Sequence, residues 1–135
     1  MIKRAVISIL TAILLVGGIV MSAGTVQGLI KKVPGVETNE LKTWLSSPGD
    51  QVIVDVRTDS EREIDKLDFD GVVHIPLQEL PDRIEELAGY RYQTIVVVCP
   101  EGSRSRQAVR WLRKAGYDAV FLRGGLNGFN EEQAL

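Results

Sequence analysis

Short apolar runs alternate with amphipathic segments along residues 37–130. Two runs, at residues 52–56 and 94–98, consist mainly of Val and Ile and have the length of buried strands. Residues 72–73 and 119–122 predict two shorter strands. The pattern indicates an α/β fold with a central parallel sheet of four to five strands and helices on both faces.

Helix signals fill the intervals between these strands. Thr58 and Glu61 have the spacing of a capping box and predict a short helix over residues 59–66. Pro81 and Gly89 bracket another helix, since proline favours the first helical position and glycine the position after the end.

Apolar residues at helical spacing predict two further helices. One carries its apolar face in residues 41–45, and the other runs through residues 108–115 and ends at Gly116. Residues 123–125 predict a turn. No element is predicted after this turn, and residues 131–135 are interpreted as a C-terminal tail.

The first 24 residues differ from the rest of the chain. A basic start precedes an apolar stretch over residues 5–23, and positions 5 to 30 carry no charge. This order predicts a cleavable signal peptide or a transmembrane anchor over residues 1–24, followed by a linker over residues 25–36. Both alternatives place residues 37–130 outside the cytoplasm, in a periplasm or an equivalent space, and the second anchors them to the membrane through residues 5–23.

Composition and charge narrow the functional classes. The chain has 16 Lys and Arg, 18 Asp and Glu and a net charge of −2, unlike the basic surface of a generic nucleic-acid-binding domain. One cysteine and one histidine exclude an intramolecular disulfide and a zinc site of Cys/His type. The sequence therefore predicts no nucleic acid, no metal and no cofactor.

The candidate chemistry lies in residues 99–105, which follow the second long strand and enter a helix. Ligands of parallel sheets bind at the carboxyl ends of the strands, where Cys99 stands. Amides at a helix start favour an anionic sulfur, Gly102 permits unusual backbone angles and Arg104 adds positive charge. The residues alone leave two alternatives: a nucleophilic thiolate in an anion-binding cradle, or a buried apolar cysteine.

The loop pattern Cys-x-x-Gly-x-Arg-Ser resembles the active-site loop of the rhodanese family. Here it comprises Cys99, Gly102, Arg104 and Ser105. Other segments resemble that family in the same order along the chain, and small exported members of the family are a precedent for the predicted leader. These segments are Val54-Asp55-Val56-Arg57, Glu63, Gly71, Ile75-Pro76-Leu77, Ala115-Gly116-Tyr117 and Leu122-Arg123-Gly124-Gly125-Leu126.

The resemblance implies a sulfurtransferase without a cofactor. Cys99 would take the outer sulfur of a small donor, thiosulfate or a persulfide, and a thiol or cyanide would then accept it. Arg104 would help to hold the donor, and Asp55 and Arg57 would brace the loop or form an ordinary salt bridge. The other residues of the active loop would be Glu101, Gly102, Ser103 and Ser105.

Two departures from the family pattern bear on the choice of sulfur donor and on whether a histidine acts as a catalytic base. Glu101 places a carboxylate where members that prefer thiosulfate often have basic side chains, so it disfavours thiosulfate as the natural donor. His74 lies outside the family's Gly-His-Ile position, where this chain has Leu67-Asp68-Phe69. We interpret His74 as a structural or surface residue rather than a catalytic base.

Two other functions would use the same thiolate. A non-catalytic sulfur carrier or redox-sensing module would hold sulfur or become oxidised at Cys99 without turnover. A phosphatase or arsenate reductase of the Cys-x5-Arg kind has five residues between cysteine and arginine, whereas four separate Cys99 from Arg104. The shorter loop makes this second alternative the less favoured one.

Overall fold

The computed structural model describes residues 32–47, 49–67 and 69–134. The predicted signal peptide or anchor over residues 1–24 and most of the predicted linker lie outside the described residues, so the export signal or anchor stays a prediction. Within the described ranges, no helix combines the length and the apolar composition that crossing a membrane requires.

In the described part of the chain, five strands alternate with five α-helices and one 3₁₀ helix. The strands are β1 (Gly35–Val36), β2 (Gln51–Asp55), β3 (Val73–His74), β4 (Thr94–Val98) and β5 (Asp118–Leu122). The helices are α1 (Thr38–Ser46), α2 (Asp59–Ile64), α3 (Leu80–Arg83), α4 (Ser103–Lys114) and α5 (Gly125–Gln133), with the 3₁₀ helix at Ile84–Tyr90 directly after α3.

The strands form one parallel sheet in the order β1-β5-β4-β2-β3. In the register of the two neighbours β2 and β4, Asp55 pairs with Val98. Because all strands run in the same direction, their carboxyl ends share one edge of the sheet, and Asp55 and Cys99 both lie there. The predicted α/β fold with a parallel sheet of four to five strands is confirmed, and the sheet has five.

Apolar side chains cover both faces of the sheet. On one face, Val54, Val97 and Cys99 pack with Leu87 of the 3₁₀ helix and Leu112 of α4. On the other face, α1 and α5 pack against the sheet, and the buried residues there are Val36, Leu41, Ile53, Val96, Val98, Leu122, Leu126 and Phe129. This burial on two sides explains why the two long strands are continuous apolar runs.

The helix predicted between Pro81 and Gly89 is instead the single turn α3, followed by the 3₁₀ helix. A 3₁₀ helix has three residues per turn, which places Ile84, Leu87 and Tyr90 on one side. All three pack against the same apolar core. The tertiary contacts therefore favour the tighter winding.

Two further differences from the predicted pattern lie near the ends of the domain. Gly35–Val36, within the predicted linker, forms the edge strand β1 beside β5. Helix α5 follows the predicted turn and includes the first residues of the predicted tail. Its buried residues Leu126 and Phe129 pack on the sheet, so tertiary contacts stabilise a segment whose own sequence gives few helix signals.

Candidate active site

Cys99 is buried directly after β4, and its sulfur faces the start of α4. The backbone N–H of Gly102 donates to Cys99 Sγ at 3.1 Å, and the N–H of Ser105 donates at 3.3 Å. The Ser105 hydroxyl lies 3.2 Å from the same sulfur. The loop thus forms a cradle of two amides and one hydroxyl around the thiol.

The cradle depends on the backbone of Gly102, which has a φ of +87° just before α4. A residue with a side chain is strained in this left-handed region, which gives a local reason for glycine. Gly102 is also the N-cap of α4 and has no side-chain oxygen to accept the N–H of Ser105, the third helical residue. Cys99 Sγ accepts that hydrogen bond, so the sulfur caps α4.

A second helix start holds the loop from another side. At the beginning of α5, the amide of Leu126 donates to the Cys99 carbonyl at 2.9 Å, and the amide of Asn127 donates to the Pro100 carbonyl at 3.0 Å. Gly125 has a φ of +64°, and a Cβ atom at this residue would overlap the Pro100 carbonyl. The loop and α5 therefore meet backbone against backbone.

Arg104 forms a bidentate ion pair with Glu61 of α2. Its Nη1 donates to Glu61 Oε2 at 2.7 Å, and its Nη2 donates to Oε1 at 2.6 Å. Such parallel hydrogen bonds between charged groups are among the stronger polar contacts in proteins. The carboxylate therefore balances the charge of Arg104, whose predicted role in holding the donor stays a prediction.

Glu61 accepts from Thr58 as well as from Arg104. The amide and the hydroxyl of Thr58 both lie 2.9 Å from Glu61 Oε2, and the predicted capping box is confirmed. The hydrogen bonds from Arg104, followed by the one from the Thr58 amide, lower the pKa of Glu61 to about 2. Glu61 is therefore ionised at neutral pH and ties α2 to the start of α4.

Asp55, the last residue of β2, forms a buried ion pair with Arg57. Arg57 Nη2 donates to Asp55 Oδ2 at 2.9 Å, and Nε donates to both carboxylate oxygens at 3.0 and 3.1 Å. Arg57 Nη1 also donates to Asp65 at 3.3 Å. Within the described part of the chain, no hydrogen bond of this pair reaches residues 99–105, so the contacts match the salt-bridge alternative.

The remaining predicted residues lie at the rim of the site or away from it. Glu101 and Ser103 are exposed. His74 Nε2 lies 2.9 Å from the Arg57 carbonyl and Nδ1 lies 3.6 Å from an Asp59 carboxylate oxygen, and its structural role stays a prediction. Over residues 32–47, 49–67 and 69–134, no three His, Cys, Asp or Glu side chains converge as metal ligands.

Two contributors to the site are absent from the sequence prediction. The local pattern assigns Glu61 to a capping box, and it carries no sign of Arg104, which is 43 positions away. From the sequence, the start of α5 is predicted only as a turn. The consecutive glycines Gly124 and Gly125 indicate a close contact with another backbone segment, but the sequence does not show which segment it is.

Comparisons with known proteins connect this geometry to one family. The family model of the rhodanese-like domain matches residues 37–132. A protein of Allochromatium vinosum named sulfurtransferase is 32% identical over 92 residues, which are 67% of this chain and 82% of that protein. A Bacillus subtilis protein named as a sulfur carrier, YrkF, is 35% identical over 88 residues, and the chain spans only 45% of its length.

A solved structure gives the same relationship. SSP1007 from Staphylococcus saprophyticus is 31% identical and has a TM-score of 0.65, with coverage of 74% of this chain and 96% of that one. The family model covers well over half of the chain, and the matched residues include the whole described sheet except β1. The protein therefore belongs to the rhodanese-like domain family, among whose members are sulfurtransferases and sulfur carriers.

Proposed function

We propose that this protein is a sulfurtransferase that transfers one sulfane sulfur at a time through a persulfide on Cys99. The observation that supports this function best is the position of Cys99 Sγ, which accepts the Gly102 and Ser105 amides at the start of α4. These donors stabilise negative charge on sulfur without the need for a general base.

The reaction has two displacement steps. In the first, the Cys99 thiolate attacks the outer sulfur of a donor, a new S–S bond forms, and the donor's remaining thiolate or sulfite leaves with the electron pair. In the second, a thiolate or cyanide attacks the outer sulfur of the Cys99 persulfide. The Cys99 thiolate is then released with its electrons, and no external oxidant or reductant is consumed.

The Ser105 hydroxyl is suited to follow these changes of charge. It donates to the Gly102 carbonyl at 3.2 Å and lies 3.2 Å from Cys99 Sγ. Since a hydroxyl hydrogen rotates easily, it is free to turn towards the sulfur when the sulfur becomes anionic. We assign the Ser105 hydroxyl as the donor that reorients as the charge on sulfur changes, while the amides of Gly102 and Ser105 keep their positions.

The charges around the loop favour a persulfide over thiosulfate as the donor. Thiosulfate carries two negative charges, and it would meet the exposed carboxylate of Glu101 at the rim. Arg104, the nearest cation of the loop, is already balanced by Glu61. The reacting group of a thiol-derived persulfide carries a single charge and a slim terminal sulfur, which also suits the burial of Cys99.

A sulfur carrier that does not turn over is the second candidate. The burial of Cys99 favours it, because a buried persulfide is shielded from unintended thiols. The likeness to YrkF, a protein named as a sulfur carrier, supports the same reading. The two candidates share the persulfide and differ in whether the second step occurs rapidly with a small acceptor.

Steady-state sulfur transfer distinguishes these functions. The full protein is supplied with glutathione persulfide or thiosulfate, cyanide serves as the acceptor, and thiocyanate is measured. We expect many turnovers per protein, a higher kcat/KM with the persulfide, and in Cys99→Ser only the thiocyanate that donor and cyanide form without protein. One sulfur bound per protein without turnover would establish the carrier, and hydrolysis of an aryl phosphate without any bound sulfur would contradict both.

We also propose that the domain acts outside the cytoplasm. The support is the uncharged, mostly apolar stretch over residues 5–23 that follows a basic start. Fusion of an export-dependent reporter enzyme after residue 135 tests this proposal. An active reporter is expected. An inactive fusion, together with activity of a second fusion whose reporter works only in the cytoplasm, would overturn the proposal.

A further inference from the structure

Helix α4 carries an unusual concentration of positive charge. It has five basic residues and no acidic residue in twelve positions. Arg106, Arg110, Arg113 and Lys114 are all exposed, and their spacing places them along one side of the helix. We call these four side chains the basic face.

The N-terminal half of the basic face opposes the stability of its own helix, whereas Arg113 and Lys114 in the last turn suit the negative end of the helix dipole. Basic residues at Arg104 and Arg106, and the lack of an acidic residue in the first turn, put positive charge at the positive end of the helix dipole. Arg106 and Arg110 are four positions apart and repel each other. The charges of Arg106 and Arg110 therefore do not serve the stability of α4, which points to a role in binding.

Little on this domain neutralises the basic face. Among the described residues, Arg113 pairs with Asp118 at 3.3 Å, whereas Arg106, Arg110 and Lys114 have no carboxylate oxygen within 4.0 Å. Arg83 offers a contrast on the same side of the sheet, because Glu79 and Glu86 both pair with it at 2.7 Å. Three cations of the basic face therefore remain available to a partner.

The basic face begins at the rim of the active site. Arg106 follows Ser105 of the cradle, and its guanidinium lies 4.9 Å from the centre of the Phe121 ring. Arg123 lies 5.8 Å from the same ring but is paired with Glu37 at 3.0 Å, so the charge that stays available beside the loop is that of Arg106. A partner bound to the basic face would reach Cys99 with a neighbouring segment of its own chain.

We propose that the basic face docks an acidic surface of a second protein, which supplies or receives the sulfur carried by Cys99. This inference rests on the proposed persulfide chemistry. From Arg106 to Lys114 the helix extends about 12 Å, at 1.5 Å per residue. That length fits a compact acidic patch and provides electrostatic steering of the encounter.

Acidic residues beside α4 disfavour the binding of a long polyanion to the basic face. Glu79, Asp82, Glu85 and Glu86 of α3 and the 3₁₀ helix belong to the layer that covers the same side of the sheet as α4. A nucleic acid laid across this side would meet those carboxylates. A compact acidic patch of a protein avoids them, so a protein is the occupant that the charges favour.

Sulfur transfer to charged peptides tests the docking surface. The full protein, loaded as the Cys99 persulfide, is mixed with a cysteine peptide flanked by glutamates or with its glutamine-flanked counterpart. The variant Arg106→Gln/Arg110→Gln removes two charges of the basic face, and Arg62→Gln/Lys66→Gln removes two exposed charges near α2 as the matched control. Each variant is compared with the unchanged protein on the same peptide, so intrinsic thiol reactivity cancels.

We expect the double variant in α4 to slow transfer to the acidic peptide by about tenfold at low salt, with little effect on the glutamine peptide. The difference should shrink at high ionic strength, and the control variant should retain the original rate. Equal effects on both peptides would overturn the proposal. So would binding of polyuridylate or phosphatidylglycerol vesicles through Arg106 and Arg110 without any preference for the acidic peptide.

A reaction with cyanide separates this proposal from the sulfurtransferase function. The double variant is expected to release sulfur to cyanide within twofold of the unchanged rate, because this acceptor is too small to need docking. If the unchanged protein forms no Cys99 persulfide at all, the sulfurtransferase function fails. If the persulfide forms and reacts with cyanide but peptide charge is irrelevant, only the docking surface fails.

Discussion

Helices α4 and α5 both begin after a glycine with left-handed backbone, and amides near both helix starts donate to the segment Cys99-Pro100. Gly102 precedes α4 with a φ of +87°, and Gly124 precedes α5 with a φ of +73°. The amides at the start of α4 donate to Cys99 Sγ, whereas those of α5 donate to the carbonyls of Cys99 and Pro100. One helix start sets the environment of the sulfur, and the other sets the shape of the loop.

The difference between the two helix starts has a structural consequence for the loop. In a trans peptide the N–H points opposite to the C=O. Because the Pro100 carbonyl faces α5, the N–H of Glu101 points away from α5. The shape that α5 imposes therefore decides which way the loop presents its amides. We expect changes at α5 to damage folding and chemistry together, and changes at α4 to act mainly on the chemistry.

Among the substitutions considered, Gly125→Ala should cause the largest loss of stability and of sulfur transfer. The new Cβ would overlap the Pro100 carbonyl, which the Asn127 amide holds in place, and a φ of +64° is itself unfavourable for alanine. A loss of about 2–4 kcal/mol of unfolding free energy is expected in urea denaturation, together with loss of sulfur transfer. Gly128→Ala is the control, since its Cβ meets no atom within 4 Å. Unchanged stability in Gly125→Ala would refute the close backbone contact between the loop and α5.

Gly102→Ala should be less damaging to the fold. Its Cβ would lie 3.3 Å from the Leu122 carbonyl, a tight but not prohibitive contact, and the backbone strain costs about 1–2 kcal/mol. Because relief of the strain displaces the Gly102 amide from Cys99 Sγ, the rate of persulfide formation should fall by more than the stability change explains. A rate that matches that of the unchanged protein would contradict the role of this amide.

Ser105→Ala separates the hydroxyl from the amide. The variant keeps the N–H that donates to Cys99 Sγ and removes the Oγ that lies 3.2 Å from it. Loss of one neutral hydrogen bond is worth about 1 kcal/mol, so the rate of persulfide formation should fall by up to about tenfold. Ser46→Ala, which removes a helix hydroxyl bonded to the Lys42 carbonyl, should leave the rate unchanged. Equal rates in all three proteins would show that the hydroxyl has no part in the reaction.

Glu61→Gln should have the smallest effect on the free energy of unfolding, and this effect should depend on pH. The folded protein lowers the pKa of Glu61 from 4.5 to about 2, so its contribution to stability is complete above pH 4.5 and is lost as the pH falls towards 2. The side chain is 37% exposed, which limits the contribution to about 1 kcal/mol or less. Urea denaturation between pH 2 and pH 7 should show the gap between Glu61→Gln and the unchanged protein closing at low pH. Glu63→Gln is the control, and a constant gap would contradict the ion pair.

Elements with strong local signals were the ones that sequence reasoning predicted. The long strands are continuous apolar runs, and the capping box of Thr58 and Glu61 is a contact between near neighbours. The loop from Cys99 into α4 is likewise contiguous in sequence. For the same reason the α/β fold and the position of Cys99 between β4 and α4 could be predicted from the sequence.

Features that depend on distant partners could not be predicted. Strand β1 is two residues long and exists because β5 pairs with it. Helix α5 contains two glycines and is stabilised by burial of Leu126 and Phe129 and by the carbonyls of the loop. The ion pair of Arg104 with Glu61 connects residues that only the fold brings together.

Mass spectrometry of the Cys99 peptide tests the central claim most directly. The full protein is incubated with glutathione persulfide, freed of the donor, digested without reductant and compared with the Cys99→Ser variant treated in the same way. The account predicts a gain of one sulfur atom on the peptide that contains Cys99, removed by cyanide and absent from the variant. A folded protein that gains no sulfur at Cys99, or gains it equally in Cys99→Ser, would contradict the account.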